Sequence, residues 1–195
     1  NENKVITKGL NLKKNHIVAD IGCGTGAFTI EAAQKCAKVY AVDISPAMLD
    51  YTKWKAEKLG LSNIVYCHAG FLTYKHEGEP LDAISTSMAL HHLPDFWKQT
   101  AFDKMSGILK TGGRLLLFDV VFSENYVKNI QTWIKKLHKI NPEIAVDITK
   151  HIRNEHSTFT WIIEGMLKKA GFKINNTNYI DGVLARYFCT KVKKS

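Results

Sequence analysis

The chain has 195 residues, of which 45% are hydrophobic, and this composition predicts a single globular domain over residues 1–195. No apolar stretch approaches the ~20 residues that a membrane-spanning helix needs, so we expect no membrane partner. The net charge of +9 is compatible with an anionic partner such as RNA. However, the lysines are scattered along the sequence, and this favours a solvated basic surface over a nucleic-acid site.

The four cysteines, Cys23, Cys36, Cys67 and Cys189, lie far apart and form no Cys-x-x-Cys pair. This usage favours reduced thiols in a cytoplasmic protein. It predicts neither a disulfide framework nor a bound metal.

The first predicted strand, about residues 17–21, leads into three glycines at alternate positions, Gly22, Gly24 and Gly26, and a helix follows over about 26–36. Glycines here allow a sharp turn and a close approach to a ligand, because no Cβ intervenes. Dinucleotide-binding loops instead have the spacing Gly-x-Gly-x-x-Gly. Asp20, two residues before Gly22, would also repel a pyrophosphate but suits a ligand with an ammonium group. An NAD-linked oxidoreductase is therefore the least favoured function.

Strands and helices then alternate, which predicts an α/β fold with a parallel sheet covered on both faces. Ser45 and Pro46 predict a helix start, and Thr111-Gly112-Gly113 predicts a turn before the fifth strand. The further strands are expected at about 38–43, 63–67, 81–86 and 114–120, and the helices at about 45–59 and 95–109.

Residues 123–156 interrupt this alternation with two helical patterns separated at Pro142. They predict a helical insertion after the fifth strand, at the carboxyl edge of the sheet where ligands bind, and we interpret it as a lid. Ser157 is expected to cap a final amphipathic helix. Two closing strands, about 172–178 and 183–191, are joined by the hairpin signal Asp181-Gly182.

The segment Val-Ala-Asp-Ile-Gly-Cys-Gly-Thr-Gly at residues 18–26 closely resembles the first motif of class I methyltransferases, which depend on S-adenosylmethionine (SAM). The resemblance covers about residues 16–122 in motif detail and 157–191 in pattern. It implies a doubly wound, mostly parallel seven-stranded sheet, in which the seventh strand is antiparallel between the fifth and the sixth. It also implies SAM as the co-substrate.

In this family, the acid that ends the second strand, here Asp43, accepts hydrogen bonds from both ribose hydroxyls, and Ile44 would pack on the adenine. The family's acid for the adenine amino group is missing, because Gly70 stands in its place. The backbone N–H of Phe71 remains available for the adenine ring. The predicted SAM-binding residues are Asp20, Gly22, Cys23, Gly24, Gly26, Asp43, Ile44, Gly70, Phe71, Thr86, Ser87 and Met88.

Leu-His-His-Leu-Pro at residues 90–94 resembles a segment that many small-molecule methyltransferases carry after the fourth strand. The imidazole of His91 or His92 could remove a proton from the methyl acceptor near neutral pH. A packing role for one histidine and a capping role for the other is the alternative, and the sequence does not rank the two. A base is optional, because a sulfonium is already a good methyl donor once it is positioned and desolvated.

The leading hypothesis is a SAM-dependent methyltransferase that methylates a small molecule at O, N, S or C by in-line displacement. It is expected to be a monomer or homodimer that binds no metal. A tRNA or rRNA methyltransferase is the second hypothesis, because of the positive charge. The third is a non-catalytic SAM-binding module, because the acid at Gly70 is missing.

Overall fold

The protein is described by a computed structural model that covers residue 7 and residues 9–192. The strands are β1 (Ile17–Ile21), β2 (Lys38–Asp43), β3 (Ile64–His68), β4 (Leu81–Ser87), β5 (Leu109–Phe122), β6 (Thr158–Phe159), β7 (Phe172–Ile180) and β8 (Leu184–Lys191). The helices are α1 (Ala27–Ala33), α2 (Pro46–Lys58), α3 (Asp95–Ile108), α4 (Tyr126–Ile140), α5 (Pro142–Asn154) and α6 (Thr160–Lys169), and a 3-10 turn spans Leu90–His92.

The main sheet has the strand order β3-β2-β1-β4-β5-β8-β7. Strands β1 to β5 are parallel to one another, and β8 is antiparallel between β5 and β7. This confirms the predicted doubly wound α/β sheet, including the antiparallel final strand. The reversal of strand order between β1 and β4 creates a crevice at the carboxyl ends of these strands, where ligands bind in such sheets.

The apolar run in β5 is explained by helices on both faces of the sheet. Leu115 and Leu117 pack in one core cluster with residues of α3 and α6, while Leu116 packs with α1 in the other. All three leucines are fully buried, as expected for a central strand.

Two predicted boundaries were wrong. The predicted turn Thr111-Gly112-Gly113 lies within β5, because this strand already begins at Leu109, which pairs with Leu81 of β4. Ser157 does not cap the last helix, because Thr158 and Phe159 pair with Val121 and Phe122 as a two-residue parallel strand, β6. The Thr158 hydroxyl also donates to a carboxylate oxygen of Asp95 at 3.0 Å. These contacts hold the chain extended beyond Ser157, so α6 begins at Thr160 and has no side-chain cap. The sheet therefore has eight strands, one short strand more than predicted.

The insertion between β5 and β6 forms the two helices α4 and α5, as the sequence predicts. They follow the carboxyl end of β5, and none of the residues of α4 is fully buried. Among the described residues, no helix combines the length and the apolar character needed to cross a bilayer.

Candidate active site

Two neighbouring cavities lie at the carboxyl edge of the sheet. The first is a cleft of about 620 Å3, bounded by the segments that follow β1, β2, β3 and β4. The second, of about 340 Å3, lies between the ends of β4 and β5 and the helices α4 and α5. Met88 and His92 line both cavities, so a molecule in one would lie next to a molecule in the other.

The three glycines of the loop after β1 all have a positive φ, of +76° at Gly22, +51° at Gly24 and +73° at Gly26. A Cβ at Gly22 would lie 2.6 Å from the Cβ of Ala89, and a Cβ at Gly26 would overlap the side chain of Thr52. A Cβ at Gly24 would meet no atom within 4 Å, although Gly24 lines the cleft. Packing therefore requires a glycine at positions 22 and 26, while Gly24 leaves free space beside the cleft.

The carboxylate of Asp43 ties the end of β2 to the glycine loop. One oxygen accepts from the N–H of Gly24 at 2.8 Å, and the other accepts from the N–H of Ser45 at 2.9 Å. A carboxylate offers about four lone-pair sites, so these two bonds leave acceptor capacity for a ligand. Asp43 lines the cleft, where the sequence predicts an acid for the ribose hydroxyls.

Asp20 also lines the cleft, but it is buried and accepts a hydrogen bond from the Thr29 hydroxyl at 2.6 Å. Burial raises the pKa of Asp20 to about 7, with the charge of Asp43 adding to the rise and the Thr29 bond opposing it. A cationic ligand group would favour the ionised carboxylate. The predicted match to an ammonium group therefore involves a carboxyl that is partly protonated near neutral pH.

The pKa of Asp20 predicts a pH-dependent stability that Asp20→Asn should abolish. Because the folded-state pKa of about 7 lies above the ordinary 3.8, between these pH values the native protein holds a proton that the unfolded chain has released. Stability is therefore lost as the pH rises towards 7, by about 4 kcal/mol in total. Urea unfolding at pH 5 and pH 8 should show about 2.6 kcal/mol of this loss in the wild type, because the remainder falls below pH 5, and a much smaller loss in Asp20→Asn. Equal losses in both proteins would contradict the assignment.

The predicted adenine side of the cleft is apolar. Ile44 is 74% exposed although it is a large aliphatic residue, and it lines the cleft with Gly70, Phe71 and Leu72. A Cβ at Gly70 would lie 2.8 Å from the Cγ2 of Ile44. An aspartate at position 70 would therefore require Ile44 to move, which gives a physical reason for the missing acid.

The end of β4 contributes Ser87 and Met88 to the cleft, and Cys23 lines it from the glycine loop. Thr86 is fully buried, and the cleft-lining residues of this segment begin at Ser87. Met88 has a φ of +51°, a conformation that is costly for a residue with a side chain and is common at functional sites. Its N–H donates to the carbonyl of Phe118 at 2.8 Å, which fixes the strand end between the two cavities.

A polar cluster stands at the boundary of the second cavity. His91 Nδ1 lies 2.5 Å from a carboxylate oxygen of Asp119, and His91 Nε2 lies 3.1 Å from an oxygen of Glu155. The other Glu155 oxygen is 3.5 Å from Nδ1 of His92. Asp119 also accepts from the N–H groups of Leu90 and His91, at 2.8 and 3.2 Å. The two histidines were predicted, and the two acids that join them were missed.

The charges around His91 determine its protonation. Burial lowers the pKa of His91, but the hydrogen bond and charge of Asp119 and the charge of Glu155 together raise it above its ordinary value. Lys98, on α3, acts in the opposite direction; it is buried, and its Nζ donates to Asp95 and to the carbonyl of His156. An imidazolium between two carboxylates is the state that these groups favour.

The same cluster has the donor atoms of a metal site. One ligand atom from each of His91, His92 and Glu155 lies within 4.8 Å of the others. The sequence predicted no metal, and this cluster is the group among the described residues that could hold one. The two acid–histidine contacts also account for the cluster without a metal.

Comparison with known proteins identifies the type of domain. Residues 18–113 match a family described as a methyltransferase domain. An uncharacterized methyltransferase of Anoxybacillus flavithermus is 28% identical over 165 residues, which cover 85% of this chain and 73% of that protein. A ubiquinone/menaquinone biosynthesis C-methyltransferase of Allorhizobium ampelinum is 29% identical over 203 residues, which cover 94% of this chain and 76% of that protein.

The solved structures agree on the fold. A putative methyltransferase of Bacillus halodurans superposes with a TM-score of 0.77 at 17% identity, covering 98% of this chain and 99% of that one. The family match and the methyltransferase names of the curated relatives indicate that the protein is an enzyme, a methyltransferase. Its fold is that of class I methyltransferases, and a SAM-dependent methyltransferase of Aquifex aeolicus is among the solved structures with this fold.

Proposed function

We propose that this enzyme transfers the methyl group of SAM, bound in the 620 Å3 cleft, to a small apolar molecule bound in the 340 Å3 cavity. The observation that carries the proposal is the contact between the two cavities at Met88 and His92. A methyl donor and an acceptor must meet at such a point, because in-line transfer requires the reacting atoms to be aligned and close.

The lining of the cleft fits SAM. The carboxyl of Asp20 suits the ammonium group, because a bound cation would favour its ionised form, and the fixed carboxylate of Asp43 suits the ribose hydroxyls. The exposed face of Ile44 suits the adenine ring, with the N–H of Phe71 at the edge of that ring. SAM supplies an electrophilic methyl group on a sulfonium, and this group would lie near Ser87 and Met88.

The lining of the second cavity supports an apolar acceptor. Trp133 of α4 and Ile148 and Ile152 of α5 face Val120 and Leu184 of the sheet across this cavity. Its polar groups are concentrated at one end, at His91, His92 and Glu155. The name of the Allorhizobium relative refers to quinone biosynthesis, which agrees with an apolar acceptor that carries a few polar groups. We assign residues 123–156 the role of a lid that sets acceptor specificity in a single-domain enzyme.

The residues that line the two cavities contribute mainly by positioning SAM and the acceptor. Asp43 and the glycine loop fix the donor, and the insertion holds the acceptor and excludes water, so that the two reactants meet in a defined orientation. His91 and His92 stand where the acceptor would lose its proton. The RNA and non-catalytic hypotheses gain no support from the relatives, which are named as methyltransferases.

The direct test is transfer of a labelled methyl group. The enzyme is incubated with SAM labelled on its methyl group and with a panel of apolar amines, thiols, phenols and quinols. We expect label in at least one small-molecule product, with one S-adenosylhomocysteine formed per methyl transferred. Label found only in tRNA or rRNA, or in no product, would contradict the proposal.

The variant Trp133→Ala tests whether the second cavity binds the acceptor while the first cleft binds SAM. Removing this ring enlarges the second cavity and takes away apolar contact area, so we expect the KM for the acceptor to rise about 10-fold. The Kd for SAM should stay within about twofold, because Trp133 does not line the first cleft. Isothermal titration with SAM and steady-state kinetics with the acceptor measure the two effects. An unchanged acceptor KM would argue against this cavity as the acceptor site.

A further inference from the structure

We propose that Glu155 is the proton acceptor of the transfer, that Asp119 and His91 position it, and that the methyl acceptor is consequently an apolar molecule with an ionisable hydroxyl group, such as a phenol or enol. This inference rests on the function proposed above. It identifies the base at the transfer point and the chemical class of the acceptor.

Glu155 is the carboxylate of the second cavity. It lines that cavity together with His91 and His92, and its side chain is 15% exposed. It lies directly after α5, so the insertion brings it to the polar end of an otherwise apolar space. A carboxylate in such a place can take a proton from an acceptor that is bound beside it.

His91 is poorly suited to this role although the sequence predicts it as a base. Its Nδ1 is occupied by Asp119 at 2.5 Å and its Nε2 by Glu155 at 3.1 Å, and its side chain is 7% exposed. An imidazolium held between two carboxylates has no free site for another proton. Its Nε2 contact can orient the carboxylate of Glu155, as a positioning residue does.

Asp119 fixes the position of the His91 ring. It accepts from two backbone N–H groups of the 3-10 turn as well as from His91. These bonds fix the orientation of the ring, so that Nε2 points towards Glu155. The peptide N–H of His156, next to Glu155, donates to the carbonyl of His91 at 2.9 Å, which joins the insertion to the same turn.

The proposed step is balanced. The O–H bond of the acceptor breaks, and its proton moves to a carboxylate oxygen of Glu155. The electrons on the acceptor, at oxygen or at a conjugated carbon, form the new bond to the methyl carbon. The bond between that carbon and sulfur breaks, and its electron pair stays on sulfur to give S-adenosylhomocysteine. When carbon is methylated, the ring carbon then loses its proton to solvent and the acceptor oxygen regains one, so that one proton is released per methyl transferred in either case. The proton on Glu155 then leaves through His92, whose side chain is 60% exposed.

Charged groups from several elements surround this pair. Asp119 lies on β5, His92 lies in the turn before α3, and Asp95 and Lys98 lie on α3. Among them, the charges of Asp119 and Glu155 raise the pKa of His91, and the charge of Lys98 lowers it.

The first variant is Glu155→Gln, with Glu143→Gln as the matched control. Glu143 is an exposed residue in the first turn of α5, so the control removes the same charge from the same insertion. We expect kcat to fall at least 100-fold in Glu155→Gln, with the Kd for SAM within about twofold and wild-type activity in the control. The fall in kcat of Glu155→Gln relative to the wild type should become smaller along a series of increasingly acidic phenols, because an acceptor that is already ionised needs no base.

His91→Asn tests the positioning role. Loss of the ring removes the Nε2 contact that orients Glu155, so kcat should fall while the KM for the acceptor and the Kd for SAM stay within about twofold. Glu155→Asp, which keeps the carboxylate, should recover part of the activity that Glu155→Gln loses. A purely structural role for these residues would instead change the acceptor KM or the Kd for SAM together with kcat.

A readout that needs no activity keeps the inference testable if no transfer is found. Nitrogen-15 spectra should show that the pKa of His91 lies above its ordinary value, and Glu155→Gln should lower this pKa, because it removes one of the charges that raise it. An unchanged His91 titration, a wild-type kcat in Glu155→Gln, or an equal deficit across all phenols would overturn the inference and leave the methyltransferase function intact. Loss of activity with a chelator, restored by Zn2+ in the wild type but not in Glu155→Gln, would also overturn it, because the cluster would then be a metal site.

Discussion

Asp43→Ala should weaken SAM binding at least about 100-fold. In the proposed complex this carboxylate accepts from both ribose hydroxyls, and each hydrogen bond to a charged group contributes about 1.5–3 kcal/mol. The same substitution leaves the N–H groups of Gly24 and Ser45 without the acceptor that they have in the structure. The glycine loop would thus lose its hydrogen bond to the end of β2, and its other contacts with SAM would be displaced.

Isothermal titration of SAM and S-adenosylhomocysteine measures this effect. Asp50→Ala is the matched control, because Asp50 is an exposed aspartate on α2. It should bind SAM as the wild type does. Circular dichroism of both variants checks that the fold is retained. An affinity loss below about threefold in Asp43→Ala would place the ribose elsewhere.

Gly24→Ala should mainly weaken SAM binding, whereas Gly26→Ala should mainly lower stability. A methyl group at Gly26 would overlap Thr52, whereas one at Gly24 would meet no protein atom within 4 Å. Both residues have a positive φ, which costs an alanine about 1 kcal/mol or more. We therefore expect Gly26→Ala to lose several kcal/mol, because core overlap adds to the backbone strain. Gly24→Ala should remain folded and lose SAM affinity at least about 30-fold, because its methyl group would occupy space beside the cleft.

Thermal unfolding and titration with SAM distinguish the two variants. We expect a large fall in Tm for Gly26→Ala and a small one for Gly24→Ala. A Gly24→Ala protein that binds SAM like the wild type would show that the ligand does not approach the loop closely.

The sequence was sufficient to predict those parts of the fold that depend on local patterns. Alternating apolar runs and glycine positions located the strands β1 to β5 and the terminal hairpin, because these runs must be buried on both faces. The start of α6 was missed because it depends on a contact that is not local in the sequence. The pairing of Thr158 and Phe159 with the end of β5 is a contact between distant segments, and no local signal opposed Ser157 as a helix cap.

In the candidate site, too, local sequence patterns were sufficient for some residues, while contacts between distant segments were missed. The glycine spacing and the acid at the end of β2 were sufficient to locate the cleft. The partners of His91 were missed because they lie 28 and 64 residues later in the chain, on β5 and after α5. One signal was available for Asp119, which is an acid within the apolar run Leu-Leu-Leu-Phe-Asp-Val and is buried. Such an acid needs a partner. For Glu155 the local sequence offered no comparable sign.

The central claim is that the cleft at the carboxyl ends of β1 and β2 binds the methyl donor. Titration of the wild-type protein with SAM, followed by competition with NAD, tests it most directly. We predict binding of one SAM per chain, which S-adenosylhomocysteine displaces and NAD does not. Absence of any SAM binding at millimolar concentration, or displacement by NAD, would contradict the account.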